Sequence, residues 1–118
     1  MRTGFRPMAS ASDLRRIALS LPGTTEAKHV DRIAFNVHRI YATLAPDDLT
    51  ANLKFTLDEQ QLKCLTAPDA FAPVPGGWGR MGFTTVTLAR VTTAELRAAL
   101  ELAHAHAVPK KSRRKREP

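Results

Sequence analysis

The segment Gly76-Gly77-Trp78-Gly79-Arg80-Met81-Gly82 gathers the residue types best suited to hold a ligand. Glycines let a backbone come close to phosphate, but phosphate-binding loops continue into Lys-Ser/Thr at a helix N-terminus. Here Trp78 interrupts the glycines, and residues 83–88 read as a strand, which speaks against a nucleotide cradle. Two readings stay open. In one, the segment is a tight loop entering a sheet, with the indole packed across it. In the other, Trp78 and Arg80 form a surface on which a base stacks or along which a phosphate backbone lies. Arg32 and Lys54 add positive charge in the strand region. They read either as a solvated face, ion-paired with Glu26 or Asp31, or as an extension of the same binding face.

Other reactive types lack the company that chemistry requires. Zinc needs three or four converging ligands. His29 and His38 have no cysteine partners, and His104 and His106, two apart on a helix, point to different faces. The latter pair reads as surface residues at a helix C-terminus, where positive charge suits the dipole. The one cysteine, Cys64, has no CxxC spacing and cannot form an internal disulfide. It reads as a core or boundary thiol in a reducing compartment. No Gly-x-Ser-x-Gly elbow occurs, and no nucleophile has an evident base. The expectation is a non-enzymatic protein without cofactor or metal.

The net charge of +7 resembles a nucleic-acid signal until it is mapped. Lys110, Lys111, Arg113, Arg114, Lys115 and Arg116 crowd into the last nine residues against Glu117 alone, and Arg2 and Arg6 lie near the other end. Between them, the ten basic residues from Arg15 to Arg97 are matched by the ten acids from Asp13 to Glu101. The expected organisation is a flexible segment over 1–9, one domain over 10–109 and a disordered basic tail over 110–118. Such a tail cannot bury apolar area, and it binds phosphates nonspecifically by releasing counterions, or serves only as solubilising charge. No apolar run approaches the ~20 residues of a membrane span, and residues 1–7, with no apolar segment behind their basic start, do not read as a secretory signal. The expected location is the cytoplasm.

The elements that must position these residues follow from periodicity. A helix capped by Ser10 or Ser12 presents Leu14, Ile17, Ala18 and Leu21 and stops at Pro22-Gly23. Period-2 alternation gives strands through Ile33–Val37, Ile40–Leu44 and Leu49–Phe55, the first two joined near His38-Arg39. Thr56 and Glu59 form a capping box for a second helix, with Leu62 and Leu65 as its inner face. Residues 71–74 read as a brief edge strand limited by Pro73, and residues 83–88 as another strand. Thr92 and Glu95 cap a last helix whose core face is Leu96, Ala99, Leu100, Ala103 and Ala107. The expected core joins Leu14, Ile17, Leu21, Phe35, Leu44, Leu53, Leu62, Val86, Leu96 and Leu100. The fold class is α+β, an antiparallel sheet packed by helices on one face.

Several segments together carry a family resemblance. They are residues 18–23 (ALSLPG), 26–29 (EAKH), 32–37 (RIAFNV), 41–44 (YATL), 51–54 (ANLK), 77–80 (GWGR) and 84–86 (TTV). In order and spacing they resemble the MmcQ/YjbR family from about Ser12 to Lys110. The resemblance implies a CyaY-like, secretion-chaperone-like fold in the order α-β(3)-α-β(2)-α. It also implies DNA binding, with Arg32, Lys54 and Arg80 at family positions. Two features depart from the pattern: His38-Arg39 stands where a glycine turn is expected, and the basic tail has no counterpart. The acidic ridge that frataxin-like iron binding needs is missing, since the first helix carries only Asp13. The functional expectation is a DNA-binding module whose tail adds affinity. The rival is a protein- or small-ligand-binding module using a groove around Trp78, either as a monomer or as a homodimer in the manner of secretion chaperones.

Overall fold

Three helices start with the same local chemistry. Ser10 Oγ accepts from the Asp13 amide at 3.2 Å while Asp13 Oδ2 accepts from the Ser10 amide at 3.0 Å. Thr56 and Glu59 repeat this reciprocal pair, as do Thr92 and Glu95. Each box satisfies two otherwise orphaned amides, and a cap of this kind contributes about 1 kcal/mol. The helices are α1 (Ala11–Ser20), α2 (Leu57–Thr66) and α4 (Thr93–Ala107). The computed structural model describes residues 8–109, so the basic tail and residues 1–7 lie outside the described residues. Within the expected flexible start, Met8 and Ala9 are anchored: Met8 bridges Thr92, and the buried Ala9 donates to Val91 O at 2.8 Å.

Six strands form one antiparallel sheet in the order β1-β2-β3-β4-β6-β5. They are β1 (Thr25–His29), β2 (Arg32–Asn36), β3 (Ile40–Leu44), β4 (Thr50–Lys54), β5 (Phe71–Pro73) and β6 (Phe83–Thr87). β1 is a strand beyond the three expected before α2. It lies at the sheet edge, largely exposed, and its residues Thr-Glu-Ala-Lys-His have no apolar alternation. β5 forms the opposite edge, as Pro73 requires. Phe35 pairs Ala42 but Asn36 pairs Ile40, so Tyr41 is an extra residue bulged out of the ladder. The bulge turns Tyr41 toward the helices. There its hydroxyl meets Thr24 Oγ1 at 2.8 Å, and its ring meets His104 edge to face at 5.4 Å.

The core lies between one face of the sheet and the helices. α4 packs on β3 and β4, α1 on α4, and α2 on β5. Leu14, Ile17, Phe35, Leu53, Val86, Leu96 and Leu100 are fully buried, with Leu21 and Leu44 at the boundary. Leu62 and Leu65 correct the expectation for α2: they are 62% and 71% exposed. The inner face of α2 is instead Gln60, with Cys64 and the C-cap residue Ala67 packed against the core. Lys63 lies on that side as well, its ammonium over the rings of Phe55 and Phe71. The Gly76–Gly82 segment is not wholly loop. It contains a one-turn helix, α3 (Gly77–Arg80).

Candidate functional site

Strand register sorts every side chain of the sheet onto one of two faces. The helix-facing set holds Ile33, Phe35, Ala42, Leu44, Ala51, Leu53, Phe71, Thr84 and Val86. Paired partners on the other face are His29 with Arg32, Ala34 with Thr43, Thr43 with Asn52, Asn52 with Thr85, and Lys54 with Phe83. Among the described strand residues the only acid is Glu26, which pairs Phe35 on the helix-facing side. Arg15 of α1 holds it at 2.7 Å. The open face therefore carries Arg32 and Lys54 and no strand carboxylate, although the domain as a whole is neutral. Among the described residues neither Arg32 nor Lys54 forms the ion pair with Glu26 or Asp31 that was one reading of them; Glu26 lies on the helix-facing side, where Arg15 holds it.

This face contains a groove of 290 Å³ lined by His29, Arg32, Ile40, Thr43, Asn52, Val74, Trp78 and Phe83. Arg32 is fixed across it: Nε donates to Thr43 Oγ1 at 2.9 Å, and a terminal nitrogen donates to Thr43 O at 3.4 Å. Thr85 Oγ1 donates to Asn52 Oδ1 at 2.8 Å, which turns the Asn52 amide nitrogen to other partners. Lys54 Nζ stands 6.0 Å from the Phe83 ring centre. Trp78 meets Phe83 in a T-shaped contact, 5.5 Å between centroids and 81° between planes, and stays 62% exposed.

The glycines serve this geometry rather than a phosphate cradle. A Cβ on Gly79 would lie 1.8 Å from Val74 O, so only glycine lets α3 press against the strand end. Gly82 has φ +106°, and a Cβ there would lie 1.9 Å from Phe55 O. The buried Gln60 amide donates to Gly79 O and Phe83 O, both at 3.0 Å, tying α2 to the segment that carries Trp78. Arg80 departs from the others. It lies on a neighbouring surface with Leu57, Gln60, Pro73 and Gly76, outside the groove.

Of the residues expected to bind, Arg32 and Trp78 line the groove, Lys54 lies on the same sheet face beside Phe83 without lining it, Arg80 lies outside it, and the tail lies outside the described residues. His29, Ile40, Thr43, Asn52, Val74 and Phe83 were not anticipated. The phase of the alternation could have found Thr43 and Asn52, which face the same way as Arg32 and Lys54. The two helical histidines have specific partners: His104 Nε2 lies 2.8 Å from Pro22 O, and His106 Nε2 lies 2.8 Å from Glu59 Oε1. Burial pushes the Cys64 thiol up, away from a reactive thiolate. Among the described residues no three His, Cys, Asp or Glu side chains cluster as metal ligands. No helix among them is long and apolar enough to cross a membrane.

No family model matches the chain, and no curated protein matches it. Among solved structures the chain is similar to the crystal structure of the Deinococcus radiodurans protein DR2400, a DUF419 domain. The two share 25% identity with a TM-score of 0.77, over 92% of this chain and 88% of that one.

Proposed function

We propose that the chain is a non-enzymatic nucleic-acid-binding module of the MmcQ/YjbR type, with the open face of its sheet as the binding surface. The family assignment rests on the ordered motifs in the sequence and on the likeness to a DUF419 domain, a group related to MmcQ/YjbR. The observation that carries the binding reading is the sorting of charge: a neutral domain keeps strand carboxylates off one sheet face and puts Arg32 and Lys54 on it. Phosphate affinity follows from such cations, and an exposed aromatic beside them supplies a stacking surface. The test is an electrophoretic shift assay with the full chain and with a chain ending at Pro109. Arg32→Glu combined with Lys54→Glu should abolish the binding that the shorter chain retains. Unchanged binding in that double variant would remove the open face from the reading.

A second reading draws on the same groove. Ile40, Val74, Trp78 and Phe83 make an apolar wall, and apolar walls with a few placed polar groups suit small ligands and peptide side chains. An uncharged ligand whose affinity ignores the Arg32 and Lys54 changes would favour it.

A further inference from the structure

We infer that the groove takes one unpaired base of a single strand, with its ring against Trp78 and its phosphate on Arg32; this rests on the nucleic-acid reading above. The volume of 290 Å³ sits at the small end of ligand sites. It has room for a ring system and none for a duplex. The contact of Trp78 with Phe83 leaves the indole 62% exposed, so ring surface remains for another aromatic partner. A duplex keeps its base faces stacked inside and offers this indole nothing without extruding a base.

The polar groups that line the groove with the indole keep donors to spare. The two bonds to Thr43 hold the Arg32 guanidinium in place and leave other N–H groups of its five for a phosphate. Because Thr43 Oγ1 accepts from Arg32, its hydroxyl hydrogen is left to donate. Because Asn52 Oδ1 accepts from Thr85, the Asn52 NH2 is left to donate as well. The floor thus offers donors beside an aromatic wall. Bases with exposed carbonyl oxygens, thymine above all, fit such a floor better than adenine, whose exocyclic group is itself a donor.

Trp78 is the chain's only tryptophan, so its fluorescence reports on this groove alone. Titration of the full chain with a short oligo-dT should shift the emission. Three competitors separate the alternatives: the same sequence as a duplex, an abasic strand of equal phosphate count, and thymidine monophosphate. The duplex and the abasic strand should leave the emission unchanged, whatever the tail contributes to holding their phosphates. The monophosphate should bind more weakly than the strand. By anisotropy of a labelled strand, Trp78→Ala should lose roughly tenfold in affinity while Trp78→Phe keeps most of it. Should the alanine variant fail to fold, the phenylalanine variant and the abasic comparison still decide. An equal emission shift with the abasic strand or the duplex overturns base insertion and leaves the phosphate-binding face intact. A monophosphate as tight as the strand makes the ligand a free nucleotide and overturns the strand. Absence of binding to every nucleic acid overturns both readings.

Discussion

Val30 occupies the first position of the two-residue β1–β2 turn with φ 61° and is 84% exposed. A β-branched residue rarely adopts this backbone region, and a turn with positive φ at its first central position normally carries glycine there. Val30→Gly removes that strain at the cost of a more flexible unfolded chain. The expected outcome is a gain of about 1 kcal/mol, read as a higher melting temperature. A lower one would mean that the valine makes contacts that offset its strain. Glu59 gives a second residue-scale expectation. Burial raises its pKa, but the Thr56 amide and His106 outweigh it, so the carboxyl titrates below its ordinary value. A depressed carboxylate stabilises the fold above the ordinary carboxylate range and loses that contribution as pH falls through the folded value. Glu59→Gln keeps the capping geometry without the charge. Its stability should therefore fall less than that of the parent between about pH 5 and pH 3. Parallel falls in urea melts at the two pH values would count against the coupling.

Among the elements, α4 and α2 make opposite use of leucine. Leu100 is fully buried on α4, whereas Leu62 on α2 is 62% exposed. Leu100→Ala should cost about 2–5 kcal/mol, and Leu62→Ala within about 0.5 kcal/mol of nothing. Equal losses in chemical denaturation would contradict the assigned faces. Sequence pattern exposed α4 in full, because its length gives five core positions, a capping box opens it and Pro109 follows its end. On α2, ten residues with three exposed leucines offer two plausible stripes. The deciding contact is Gln60, whose amide bonds to carbonyls far along the chain. A polar residue used as a buried tie has no periodic signature. β1 escaped for a related reason: an edge strand with little burial need not alternate. The groove was half legible. Trp78, Arg32 and Lys54 stood out by type, but their meeting depends on strand order, which puts β6 beside β4 and carries Trp78 over the same face as Arg32.

For the whole molecule, charge is divided between the neutral domain and the chain ends. If both the open face and the tail contact phosphates, affinity for a single strand should fall with salt by a log–log slope of about −0.7 per contact. Ending the chain at Pro109 should flatten the slope by several units, since six cations are removed. The melting temperature should hardly change, because the core of the described residues ends at Ala107. A slope left unaltered by truncation would assign all phosphate contacts to the domain.

The insertion of β6 between β4 and β5 bears on how the chain finds its structure. β1 through β4 form a meander in which each strand pairs with its sequence neighbour, so their closure loops are short. The β4–β6 ladder can form only after α2, β5 and α3 have been drawn back across the sheet, and long closure is entropically late. The meander of β1 through β4, whose closures are all short, is the natural folding nucleus. Leu53→Ala should slow refolding, whereas Val86→Ala should chiefly speed unfolding, a contrast that stopped-flow chevrons can measure. The open face would then be assembled last, because Phe83 and Trp78 arrive only with the strand that closes the sheet.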